Sequence, residues 1–256
     1  MRFSQFITLL AASGGLFCLS LQADWVPGDP HKMHYPQLPD PTGWDVKVDD
    51  NNFVADDFRC TQSGPITDIH FWGSWRNGIV GTIQNIQLTI WSDNPNGPNG
   101  YSIPEVPLSD FWQTGPILPE QIAGPFPGDQ GWFDPVEGVW QQSDHLEYFQ
   151  YNIKIDDPNW FIQEKDTIYW LEIHVVVEES GLDFGWKTSL DHFNDDSVAR
   201  DGSWPDYFIG GIEIIDPETG ISMDQAFVIV PELPTYAVWT GMVSLMLLLI
   251  RRRRRS

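Results

Sequence analysis

The sequence predicts an all-β protein: a β-sandwich or jelly-roll-like domain between an N-terminal signal peptide and a single C-terminal transmembrane helix. Three observations predict it. Apolar residues recur with a period of two in successive runs, and clusters of Gly, Pro, Asn and Asp separate those runs. The chain also carries 20 prolines and no window of helical periodicity between its termini. Eight to twelve strands in two sheets about 10 Å apart would bury such a pattern.

Taken in order, residues 1–23 read as a signal peptide: Arg2, an apolar stretch from Phe6 to Leu21, and a cut after Ala23, with a cut after Ser20 as competitor. Residues 24–42 carry five prolines and no period, which predicts an extended lead-in. The β domain occupies 43–229. Ile69, Phe71 and Gly73 alternate with Asp68, His70, Trp72 and Ser74, and Ile86, Leu88 and Ile90 alternate with Asn85, Gln87 and Thr89. Phe149, Tyr151, Ile153 and Ile155 share one face of a further strand, as do Tyr169, Leu171, Ile173, Val175 and Val177. Turns are expected at 93–100, 123–129, 156–159 and 216–220, where these four residue types cluster.

Residues 230–256 differ in kind. Pro231, Glu232, Leu233 and Pro234 precede an apolar stretch over 236–250, which five arginines, Arg251 to Arg255, close. As a helix the stretch spans about 22 Å, short of a hydrocarbon core of about 30 Å; Tyr236, Trp239 and the arginine stems can bridge the difference. The arginines predict a cytoplasmic C-terminus. This order of break, helix and cationic stop resembles the PEP-CTERM sorting signals of Gram-negative bacteria, which a membrane exosortase reads. The resemblance assigns the signal to Pro231, Glu232, Pro234, Arg251, Arg252 and Arg253, and implies an exosortase-type enzyme and the membrane as partners. Leu233 departs from the family's Pro-Glu-Pro. The implied location is the cell envelope, anchored by the helix or released to the surface or matrix after processing.

With Arg2, Glu232 and the five tail arginines set aside, 35 acidic and 8 basic residues remain. That balance excludes nucleic acid as a partner and suits divalent cations. Once the signal is removed, Cys60 is the only cysteine, so no internal disulfide forms and a hydrophobic core must hold the domain together.

Several strings are specific: VADDFRC (Val54–Cys60), TDIHFWGSW (Thr67–Trp75), QYN (Gln150–Asn152), TIYWL (Thr167–Leu171), FGWKTS (Phe184–Ser189), HFNDDS (His192–Ser197) and MDQAFV (Met223–Val228). In that order they resemble an uncharacterised secreted β domain of environmental bacteria found beside such tails. The resemblance covers nearly all of residues 30–229, implies the β fold and transfers no catalytic residue.

For chemistry, 13 tryptophans are the first signal. Trp72, Trp91 and Trp170 fall on strand faces with polar companions, so they are candidate stacking platforms for a polysaccharide; the alternative is that they fill space beneath loops. Asp191, Asn194, Asp195 and Asp196 put four oxygen-bearing side chains into six residues, a candidate structural Ca2+ loop if Asp206 or Asp216 adds a donor, and otherwise an aspartate-capped turn. No other cofactor is expected. Of Asp56 and Asp57 one must face inward by parity, pairing with Arg59 or backbone amides. Glu172 and His174 share a strand face, yet no nucleophile elbow or zinc-hydrolase motif accompanies them. Arg59 could activate Cys60, although a lone strand cysteine is usually buried and inert. The expectation is a non-enzymatic exported envelope or matrix protein, with a carbohydrate-binding module as the alternative.

Overall fold

Runs with a period of two become strands. The computed structural model describes residues 24–49, 52–156, 159–202 and 211–231. These residues form fifteen strands and, as helix, two three-residue 3-10 turns, Arg76–Gly78 and Pro119–Gln121. The first eight are β1 (Trp44–Lys47), β2 (Asn52–Arg59), β3 (Gly64–Ile66), β4 (Asp68–Trp75), β5 (Ile83–Asn94), β6 (Ile103–Thr114), β7 (Ile122–Asp134) and β8 (Val139–Lys154). The others are β9 (Phe161–Gln163), β10 (Ile168–Val177), β11 (Phe184–Ser189), β12 (Val198–Asp201), β13 (Ile212–Glu213), β14 (Asp224–Gln225) and β15 (Phe227–Ile229). The count exceeds the expected eight to twelve because β3, β9, β13, β14 and β15 have two or three residues each, too few to show alternation. The signal peptide, the helix over 236–250, Glu232, Pro234 and the tail arginines lie outside the described residues.

The strands make a seven-stranded sheet, β14-β11-β1-β7-β8-β4-β15, a six-stranded sheet, β13-β12-β2-β10-β5-β6, and the small pair β3-β9. All pairings are antiparallel except β1 with β7. One hydrophobic cluster takes residues from both large sheets, including Phe58 and Leu171 of the six-stranded sheet and Phe71, Trp186 and Phe227 of the seven-stranded one. Phe58 meets Phe227 edge to face at 6.2 Å. Edge strand β6 carries Pro104 and Pro107, tolerable where no outer neighbour needs an N–H. The 24–42 segment runs through turns, bends and isolated bridges and is pinned to the domain: Met33 bridges Cys60, Gln37 bridges Phe227 and Pro39 bridges Ser189.

One expectation is corrected. Residues 123–129 are not a turn but part of β7, which stays paired to β8 through register shifts at Ala123/Phe126 and Pro127/Gln130. The clustered Gly and Pro residues are carried as irregularities of a long strand, since β8 continues beside them.

Strand β11 pairs with β1 on one side and β4 on the other, β1 pairs with β7, β7 with β8, and β8 with β4. These pairings close a five-strand ring. Four of its strands contribute a buried polar side chain to one network: Asp45 from β1, Ser74 from β4, His145 from β8 and Lys187 from β11. Lys187 Nζ lies 3.4 Å from Asp45 Oδ2, and His145 Nε2 lies 3.2 Å from the same oxygen. His145 Nε2 also meets the Ser74 hydroxyl, while its Nδ1 faces Asp144 Oδ2 at 2.9 Å. Two carboxylates and two cationic side chains thus balance. A Cβ added to Gly185 would stand 2.9 Å from both Asp45 Cβ and Trp132 Cζ3, so only glycine fits beside this network.

Burial opposes charge on His145, but the hydrogen bonds and charges of Asp45 and then Asp144 outweigh it and hold its pKa above the ordinary value of 6.5. A histidine raised on folding stabilises fully below its unfolded pKa, and the contribution disappears as pH climbs through the folded one. The thermal midpoint is therefore expected to fall as pH rises above 6.5. H145Q is expected to flatten that decline; an equal slope in the variant would place the titrating group elsewhere.

Candidate functional site

Strand β2 places adjacent aspartates on opposite faces, and both are buried. Asp56 turns inward, where its Oδ2 accepts the backbone N–H of Gln225 (2.6 Å) and the Gln37 side-chain amide (2.9 Å). Asp57 turns outward under the loop after β11 and accepts Asn194 Nδ2 (2.6 Å) and the N–H of Asp195 (3.3 Å). The sequence expectation of backbone-amide partners therefore holds. The Arg59 partner does not, because that guanidinium sits 5.4 Å over the Phe193 ring.

The loop is held by that cation, by His34 stacked on Phe193 at 3.6 Å, and by the Tyr35 hydroxyl donating to the His192 carbonyl. It brings His192 over β14. His192 Nδ1 stands 3.1 Å from Asp196 Oδ1 and 3.3 Å from Asp224 Oδ1, and one ligand atom from each of the three lies within 4.8 Å of the others. Asp224 Oδ2 accepts the N–H of Phe193 at 2.7 Å and the Gln37 amide at 3.3 Å. Burial pushes the Asp224 carboxyl up to about 7, against the pull of the Phe193 amide and His192. Burial likewise raises Asp56 well above the usual carboxylate range, reinforced by Asp224 and Asp57.

The expected calcium loop is corrected in its members. Asn194 takes a left-handed backbone conformation, φ 54°, and the turn there sends its neighbours apart. Asp191 accepts Leu38 N–H, Asn194 donates to Asp57, and Asp195 accepts Ser102 N–H, so these three do not converge. Asp196 alone of the four joins a donor group, with His192 and Asp224. Asp216 is occupied by the backbone N–H groups of Glu218 and Thr219, and Asp206 lies outside the described residues. One imidazole with two carboxylates suits a divalent transition-series ion such as zinc or manganese better than calcium, which takes six to eight oxygens. The group was not legible because Asp224 is remote in sequence. His192 also lines a cleft of about 520 Å³ bordered by Asp40, Trp44, Asp129, Asp216 and Glu218.

The tryptophan platforms are corrected as well, because all three are buried. Trp25, in the lead-in, packs edge-on against Trp72 at 6.2 Å and exchanges hydrogen bonds with Gln150. Trp91 and Trp170 are directly opposed across β5 and β10 and buried in a small cluster with Ala55, Ile103 and Val198. Neither offers a free ring face. Cys60 is free and buried, and burial pushes its thiol up to about 12, the inert alternative.

Glu172 and His174 do share a face. His174 stacks on Phe53 at 4.9 Å and its Nδ1 lies 3.2 Å from Gln87 Oε1. Burial lifts the Glu172 carboxyl to about 7, opposed by Arg200 and by a hydrogen bond from Trp91. The Ser74, His145 and Asp144 contacts resemble a nucleophile–base–acid arrangement that sequence spacing could not reveal, but Ser74 is fully buried and does not line the cleft. Its geometry serves the ring.

Two outcomes follow. Manganese or zinc at about 100 times its dissociation constant is expected to raise the melting midpoint by about 5–10 °C over a chelator-treated sample, and D196N to abolish the rise; equal shifts in both proteins would dismiss the site. A carboxyl whose pKa rises from 4.5 to about 7 on folding stabilises fully below 4.5 and loses that contribution as pH climbs to about 7. E172Q is therefore expected to match the wild type at pH 4 and to exceed it by about 3 kcal/mol at pH 8. A less stable E172Q at pH 8 would mean that the carboxylate is charged and paired.

No curated protein and no solved structure matches this chain. A protein-family comparison matches residues 33–230, more than half of its length, to a single description. On that match the chain belongs to the family described as Domain of unknown function (DUF7901).

Proposed function

We propose that this is a non-enzymatic exported protein of the cell envelope or extracellular matrix. An exosortase-type enzyme sorts it through Pro231, Glu232, Pro234 and the arginines Arg251–Arg253. The observation that carries the reading is the apolar stretch over 236–250 closed by five arginines, set behind a strongly acidic domain. Its helix holds the C-terminus in the cytoplasm until processing releases the domain. The exit of the chain supports this. Edge strand β15 ends at Ile229, and Val230 N–H donates to Asp68 O at 3.1 Å, so the described chain ends at the side of the seven-stranded sheet. The domain is a β-sandwich in this reading, supported by the apolar cluster common to both large sheets. A second reading, a carbohydrate-binding module, is favoured by Trp112, which is 46% exposed and whose Nε1 donates to Asp110 at 3.2 Å.

Intact mass after fractionation of the native envelope tests the first reading. The expected species lacks residues 1–23, and also lacks the arginine block once it reaches the surface fraction. A full-length chain in the cytosolic fraction would overturn export.

A further inference from the structure

The register of the six-stranded sheet aligns five residues of its outer face. Arg200 of β12 opposes Phe53 of β2, and His174 of β10 opposes Gln87 of β5, which opposes Trp112 of β6. Ile173 pairs with Val54, so His174 falls beside Phe53 and the row is continuous. It crosses five strands, about 19 Å at about 4.8 Å per strand. The side chains touch in sequence. The Arg200 guanidinium lies 4.0 Å over Phe53, Phe53 stacks on His174 with an interplanar angle of 28°, and His174 meets Trp112 edge-on at 6.1 Å.

The neighbouring row runs Val198, Ala55, Glu172, Thr89, Asp110. Its polar members fix the first row in place. Asp110 accepts Gln87 Nε2 (2.8 Å), Trp112 Nε1 (3.2 Å) and the Thr89 hydroxyl (3.4 Å). Glu172 is nine-tenths buried and its Oε2 has no hydrogen-bond partner in the structure. Its carboxyl is met by Trp91 and by the charge of Arg200, which hold it beneath the row of rings.

We propose that this row is a binding strip for a neutral polysaccharide. A pyranose ring has an apolar C–H face and a rim of hydroxyls. Trp112 supplies a solvent-exposed ring for that face, while Gln87, Asp110 and Arg200 supply hydrogen-bonding groups at the edges. The contacts that lock these side chains remove the entropy loss that flexible groups would suffer on binding. An anionic polymer is disfavoured by Asp110, by Glu172 and by the net charge of −22. A linear chain laid across the strands would follow the row from Trp112 to Arg200. The inference rests on the carbohydrate-binding reading above and supplies it with residues and a ligand class.

The test is affinity electrophoresis of the full chain in non-ionic detergent, through gels containing a soluble β-glucan, a galactomannan or the uronic-acid polymer alginate. Retardation by a neutral polymer is expected. W112A should weaken it at least about tenfold, W112F should restore part of it, and W140A, which removes an equally exposed tryptophan on β8, should leave it unchanged. Retardation that survives in W112A, or that is lost equally in W140A, would overturn the strip and leave the carbohydrate reading standing. Retardation by alginate alone would overturn the neutral ligand class. No retardation by any polymer would overturn both the strip and that reading.

Discussion

Closure of the five-strand ring depends on Asp45. It accepts from Lys187 and faces His145, so it is the carboxylate shared by two buried cationic side chains drawn from β11 and β8. A lysine without water is costly to keep charged, and burial indeed lowers the Lys187 pKa against the pull of Asp45 and Asp40. Removing Asp45 would leave Lys187 without its ion-pair partner and His145 with Asp144 alone, in the place where β1, β4, β8 and β11 meet. The backbone obeys the same constraint. Strand β11 can take β1 on one side and β4 on the other only because Gly185 and Gly73 carry no side chain. A Cβ at Gly73 would stand 2.4 Å from Phe184 Cζ. Charge balance and close approach therefore fix the same junction, and the six-stranded sheet packs against the apolar side of the strands held there.

Much of the fold was legible because a strand with one covered face writes its period into the sequence. Ile69, Phe71 and Trp75 of β4, Tyr169, Leu171, Ile173 and Val175 of β10, and Ile86, Leu88 and Ile90 of β5 enter the large core cluster. Strand β7 was illegible for the converse reason: its Gly and Pro cluster has the composition of a turn, and only the partner β8 keeps it extended. Parity also put Trp72, Trp91 and Trp170 on the correct faces, with Asp68 and His70, with Thr89, and with Glu172. It could not reveal their burial, because the covering groups come from far away: Trp25 in the lead-in for Trp72, Ile103 and Val198 for the other two. The donor group of His192, Asp196 and Asp224 was half legible. The loop was visible as an acidic cluster, but which carboxylate turns back depends on the backbone at Asn194 and on a strand nearly thirty residues later.

The distribution of charge separates scaffold from site. In the ring, each buried charge has a counter-charge nearby, the arrangement expected where polar groups specify a packing. Around β2 and β14 the balance fails. Asp56, Asp57 and Asp224 are all buried, they meet amides and one imidazole, and burial raises the pKa of each. A neutralising proton or a cation relieves such a cluster, and either one links the loop of His192 to the chemistry of the surrounding medium. For a protein read as exported, that medium is not buffered by the cytoplasm.

The same criterion locates the outer strip. A buried donor or acceptor left without a partner costs about 1–3 kcal/mol, and a fold selected for stability alone would satisfy or remove it. Glu172 Oε2 is one of several such atoms, although the carboxyl it belongs to is met by Trp91 and Arg200. Replacement would disturb little of the ring, since Glu172 belongs to the other sheet. Around it lies a row of rings and hydrogen-bonding groups in register, ending in an exposed indole at the sheet edge. The inner faces of the sheets account for why this chain folds. The outer face of the six-stranded sheet and the loop over β14 instead carry polar and aromatic groups near the surface, which a ligand could use.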